Sequence, residues 1–91
     1  MNRRQAEQMS ERALAFLSDR PADLHRFLTA SGLDATELLV KHDDKAILAA
    51  VLGFVTGDES LAKDFSAGEA LKPGALLQAY ATLDPHGSSA W

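Results

Sequence analysis

The sequence predicts an all-α fold, a compact single-domain bundle of five or six short helices around a buried central helix at about residues 44–56. Three observations predict it. Ala46-Ile47-Leu48-Ala49-Ala50-Val51-Leu52-Gly53-Phe54-Val55 is the longest uninterrupted apolar run, and its length suits a core helix. The segments on either side carry apolar residues at helical spacing with polar residues between them. Residues that start or stop helices, namely Asn, Asp, Pro and Gly, stand between those segments.

Residues 3–18 read as the first helix, with Ala6, Met9, Ala13, Phe16 and Leu17 on one stripe. Asn2 followed by Gln5 fits a capping box, in which each side chain satisfies an orphan backbone donor of the first turn. Pro21 has no N–H and clashes inside a helix, but it suits a first turn, so it opens a second helix. Asp23 then lies near the positive end of that helix dipole. Leu24, Phe27, Leu28 and Ser31 share a face, and Gly32 is the stop.

Asp34-Ala35-Thr36-Glu37 resembles a capping box and opens a short third helix through Leu38-Leu39-Val40, with Leu33 placed to staple onto Leu38. In Lys41-His42-Asp43-Asp44, Asp43 or Asp44 caps the central helix. Ile47, Leu48, Val51, Leu52 and Val55 form its stripe, and the small residues opposite leave no polar face, which predicts burial all round. Gly53 costs about 1 kcal/mol against alanine there, so close approach by a neighbouring helix is its expected use. The Ala-rich composition and length argue against a strand.

Thr56-Gly57 ends the central helix and Asp58-Glu59 opens a fifth, whose apolar face is Leu61, Ala62 and Phe65, with Gly68 near its end. After Lys72-Pro73-Gly74, a sixth helix places Leu76, Leu77, Tyr80 and Leu83 on one side. Residues 2–84 thus form one helical domain, and 85–91 read as a flexible C-terminal tail. Gly87-Ser88-Ser89 favours a free Trp91 over one packed back on the bundle.

Composition supports a packed core without covalent or metal staples. Hydrophobic residues make up 46% and charged residues 24% of the chain, near the globular average. Cysteine is absent, which excludes disulfides, thiol nucleophiles and thiolate metal sites. No apolar run reaches the ~20 residues of a membrane span, and Arg3-Arg4 lack the apolar segment of an export signal, so the expected location is cytoplasmic. The net charge is −4, yet all five arginines (Arg3, Arg4, Arg12, Arg20, Arg26) fall in the first 30 residues. An acidic majority disfavours nucleic acid, whereas arginine on the N-terminal helices suits either a solvated face or an acidic partner.

Candidate chemistry is sparse. His25 lies beside an apolar face, His42 in a connector and His86 in the tail, and no spacing among them builds a metal site. Asp43, Asp44, Asp58 and Glu59 occur where helices begin, which explains them as caps. Ser10, Ser18, Ser31, Ser60 and Ser66 have no nucleophile-elbow context, and no phosphate-cradling glycine loop occurs. No catalytic, cofactor-binding or metal-ligating residue is therefore assigned, and an enzyme is not expected. One sharper pattern spans residues 21–41, where Phe27-Leu28 and Leu33-Leu38 about Gly32 outline a helix-turn-helix. Its second helix begins with Asp34 and Glu37, which repel phosphates, and offers no Arg, Asn or Gln to base edges.

Ala13-Leu14-Ala15-Phe16-Leu17, Arg26-Phe27-Leu28 with Ser31-Gly32-Leu33, and Leu48-Ala49-Ala50-Val51-Leu52 with Gly57-Asp58-Glu59 resemble a small uncharacterised bacterial family, domain of unknown function 3572. The resemblance covers roughly residues 7–83. It implies a compact helical domain and brings no activity, cofactor or partner. The expected function is a small protein–protein interaction or regulatory module with an unknown protein partner; the alternative is a helix-turn-helix-like nucleic-acid binder using residues 21–41.

Overall fold

Local capping chemistry places the helix starts, and the structure follows it. The computed structural model describes residues 1–42, 44–72 and 74–83. Six helices lie among them: α1 (Arg3–Ser18), α2 (Pro21–Ser31), α3 (Ala35–Val40), α4 (Lys45–Gly57), α5 (Glu59–Gly68) and α6 (Ala75–Leu83). The described residues contain no strand. Asn2 Oδ1 accepts from the Gln5 N–H at 2.8 Å, and Gln5 Oε1 accepts from the Asn2 N–H at 3.1 Å, completing the capping box. Asp34, Asp44 and Asp58 each accept a first-turn N–H, from Glu37, Ala46 and Leu61 respectively. Pro21 opens α2, and Gly32 ends it in the left-handed conformation at φ 75°. Asp43, the tail 85–91 and Trp91 lie outside the described residues.

The centre is a trio of helices. α1, α4 and α6 make the heaviest mutual contacts; α5 packs on α4, and α2 lies against α1 and α4. α3 touches the remainder only sparsely. The radius of gyration is 12.2 Å. That agrees with the roughly 12 Å expected of a single compact chain of this length.

Small residues on α1 let the trio approach closely. Ala6, Ser10 and Ala13 are fully buried, with Leu17 completing the stripe. Ser10 Oγ donates to the Leu48 carbonyl oxygen at 2.7 Å, a buried hydrogen bond that fixes the register of α1 on α4. From α4, Leu48, Val51, Leu52 and Val55 are buried, and each such side chain contributes about 1.5–3 kcal/mol by leaving water. Phe27, Leu38, Leu61 and Phe65 bring α2, α3 and α5 onto the same core.

Three expectations need correction. α4 is not covered all round: Ala46 is exposed, and Ala50, Gly53 and Phe54 are half-buried, with Phe27 of α2 against Phe54 and Tyr80 of α6 against Gly53. On α6 the buried stripe is Leu76, Ala79 and Leu83, while Leu77 is 59% exposed. Leu77 sits about 100° around the helix from Leu76, and the compact Ala79 is what allows α6 to lie close to its neighbours. Only half of the expected box at Asp34 forms, with Asp34 accepting from Glu37 N–H.

Gly53 meets a neighbour as its cost implies. A Cβ at this position would come within 3.0 Å of Tyr80 Cε1, so the side chain of α6 fills the space an alanine would use. The end of α5 was less predictable. Ala70 has φ 52°, its N–H donates to the Ala67 carbonyl, and the Leu71 N–H donates to the Ser66 carbonyl at 2.9 Å. That pair of bonds is a Schellman motif with alanine at the left-handed position usually held by glycine.

Candidate functional site

Two arginines of the N-terminal half are committed to the protein's own carboxylates. Arg20 contacts Asp23 at 2.9 Å and Asp64 at 3.1 Å; Arg26 contacts Asp23 at 3.0 Å and Asp58 at 2.5 Å. Asp23 thus bridges both guanidinium groups, and the chain Asp64–Arg20–Asp23–Arg26–Asp58 ties α2 to α5. Each arginine also lies over an aromatic ring, Arg20 over Phe16 at 5.0 Å and Arg26 over Phe54 at 5.5 Å. Those rings make edge-to-face pairs with Phe65 and Phe27. The hydrogen bond from Arg26, followed by that from the Leu61 N–H, holds the Asp58 carboxyl below its ordinary range. The same contacts raise both arginines further, chiefly through Asp23 for Arg20 and Asp58 for Arg26. Asp58 therefore caps α5 and anchors α2 at once. This cluster clasps α2 to α5 and occupies two of the five arginines.

The residues with potential for chemistry remain dispersed. His25 and His42 are exposed, on α2 and in the connector after α3, and His86 lies outside the described residues. His42 joins Glu11, Leu14, Ala15 and Ser18 around a shallow hollow beside α1. Among the described residues no group of three or more His, Cys, Asp or Glu side chains is placed to hold a metal ion. Asp44 and Asp58 act as caps, and Glu59 stands in the first turn of α5. Of the serines, Ser10 is buried in its bond to Leu48, and the Ser18 and Ser31 hydroxyls donate back to carbonyls of their own helices.

The helix-turn-helix outline corresponds to α2, a turn and α3. Arg20 and Arg26 are paired internally, Asp34 and Glu37 open α3, and the solvent side of α3 carries Leu39 and Val40. Leu39 is 75% and Val40 72% exposed, the most open large apolar side chains among the described residues. Large apolar side chains side by side on a surface mark contact sites more often than isolated ones do.

One concavity is larger than the rest described. A groove of about 670 Å³ runs between α1, α6 and the turn after α5, with Met9 and Leu71 at its floor and Arg12 and Lys72 among its polar walls. Sequence reasoning missed it because its walls come from the two ends of the chain. The signal for the arginine clasp was half present: Asp23 stands three residues from both Arg20 and Arg26, but Asp58 and Asp64 join only through the fold.

A family model described as "Protein of unknown function (DUF3572)" matches residues 3–86. The chain belongs to that family. The DUF3572 match includes all six helices, so the trio and the clasp lie within it, as does the groove apart from Met1. Among curated proteins and among solved structures, no match was found. Residues that carry the resemblance are mainly structural: Ala13, Leu17 and Phe27 in the core, Gly32 ending α2, and Asp58 capping α5. No helix among the described residues is long and apolar enough to cross a membrane.

Proposed function

We propose that this DUF3572 protein is a cytoplasmic protein–protein interaction module that acts by presenting a helical surface and carries no catalytic site. The observation that supports it best is α3. Its core anchor is Leu38, while Leu39 and Val40 face solvent on a helix with few contacts to its neighbours. Exposing two large aliphatic side chains costs solvation free energy in the free protein, and covering them in a complex recovers about 1.5–3 kcal/mol for each. The surrounding chemistry fits recognition better than turnover. Asp58, Arg20 and Arg26 have shifted pKa values, but all three serve the clasp rather than a cleft.

Capture of the tagged protein from its own cells after cross-linking, with and without nuclease, tests this reading. A protein partner retained after nuclease and cross-linked beside α3, at Lys41 or Lys45, supports it. Recovery that vanishes with nuclease overturns it in favour of nucleic acid, as does binding of a random duplex that weakens steeply with salt.

A further inference from the structure

We propose that the groove between α1 and α6 is a docking site for an acidic, amphipathic segment of a partner protein. The inference rests on the chain being a protein-binding module, but it concerns a surface other than α3. Charge complementarity selects the occupant. The protein carries a net charge of −4, yet the groove's charged walls are Arg12 and Lys72, and none of its described lining residues is acidic. Arg4 stands two turns before Arg12 on α1, is exposed, and makes no ion pair among the described residues. Arg12 contacts Glu69 at 2.8 Å, but its side chain stays 54% exposed and within reach of a second carboxylate. On a protein of net negative charge, the described walls of this groove thus carry only cationic charged side chains.

The remaining wall chemistry points to a peptide. Gln5, Gln8 and Gln78 supply amide donors and acceptors suited to main-chain or side-chain polar groups. Met9 and Leu71 provide an apolar floor for one anchoring side chain, and methionine adapts its shape to different occupants. The volume of about 670 Å³ falls in the range of ligand clefts, but the groove is open to solvent, which suits a segment passing across it. Acidic side chains flanking the anchor would meet Arg12 and Lys72, and such pairs add specificity and association rate beyond apolar burial.

The test is selection from a displayed random-peptide library on the immobilised protein, followed by anisotropy titration and amide shift mapping with the enriched peptides. The expected peptides carry Asp or Glu around a large apolar residue, and their shifts fall on Gln5, Gln8, Arg12, Lys72 and Gln78. The double variant Arg12→Glu, Lys72→Glu should weaken binding at least about tenfold, and the neutral pair Arg12→Gln, Lys72→Gln less so. Both variants are checked for an unchanged melting profile, as expected for exposed positions. Leu39→Asp with Val40→Asp should leave peptide affinity unaltered. Failure to enrich peptides, enrichment of basic or uncharged ones, shifts outside the groove, or equal affinity in the double variants would each overturn the assignment. An α3-dependent partner captured from cells alongside any of these results leaves the proposed function standing while the groove assignment falls.

Discussion

Ala70→Gly should stabilise the protein although it removes a methyl group. Ala70 is exposed, so the lost methyl gives up little burial, and φ 52° places it where an L side chain crowds its own backbone. A left-handed conformation costs an ordinary residue about 1–2 kcal/mol, which glycine avoids. Glycine also widens the unfolded ensemble, which takes back about 0.4–1 kcal/mol. The difference is a gain of about 0.5–1 kcal/mol, since both Schellman hydrogen bonds remain available. For a domain of this size that raises the melting temperature by about 2–8 °C. Thermal and urea unfolding followed by circular dichroism measure it, with Ala70→Val as the opposite control because a β-branched residue tolerates this conformation least. A fall in stability for Ala70→Gly would refute the reasoning about this turn.

Other expectations follow from individual contacts. Ser10→Ala removes the buried bond to Leu48, whose carbonyl keeps its helical partner, and should cost about 1 kcal/mol in urea unfolding. On α6, Leu76→Ala should cost about 2–4 kcal/mol, whereas Leu77→Ala should stay within about 0.5 kcal/mol; equal costs would mean that α6 is rotated from the orientation described. The Asp58 carboxyl is held below the ordinary aspartate range by Arg26, so its contribution is present above the unfolded pKa and is lost as pH falls through the depressed folded value. Asp58→Asn, which keeps a capping side chain but not the charge, should therefore be less stable than wild type at pH 7 and lose less of its stability during acid titration below pH 3.8.

Helix boundaries were legible because the residues that set them act locally. Asn2 and Gln5 satisfy each other's backbone donors, Pro21 tolerates only the first turn, and Asp34, Asp44 and Asp58 each cap within three residues. The long stripes of α1 and α4 were legible for the same reason that they are buried: they repeat over several turns. α6 is nine residues long, so two adjacent leucines offered rival stripes, and the decisive Ala79 is too weakly apolar to stand out in a pattern. Ser10 could not be read as buried, because its partner is a carbonyl 38 residues away. Ala70 gave no sign of a left-handed turn, since Gly68 two residues earlier is the more obvious stop. Nor could Arg20 and Arg26 be placed in a clasp before α5 brought Asp58 and Asp64 beside them. What was least legible is the surface: which apolar side chains stay outside and which cations find carboxylates are properties of the assembled fold.

Leu39 and Val40 on α3 are the most exposed large apolar side chains among the described residues. The most direct measurement is quantitative cross-linking capture from the native cells with wild type and the Leu39→Asp, Val40→Asp variant in parallel, after unfolding curves show both to be folded. Wild type should recover a nuclease-resistant protein partner that the variant depletes at least about tenfold, because two apolar contacts buried in the complex become charged. Equal recovery by both proteins would contradict this role for α3.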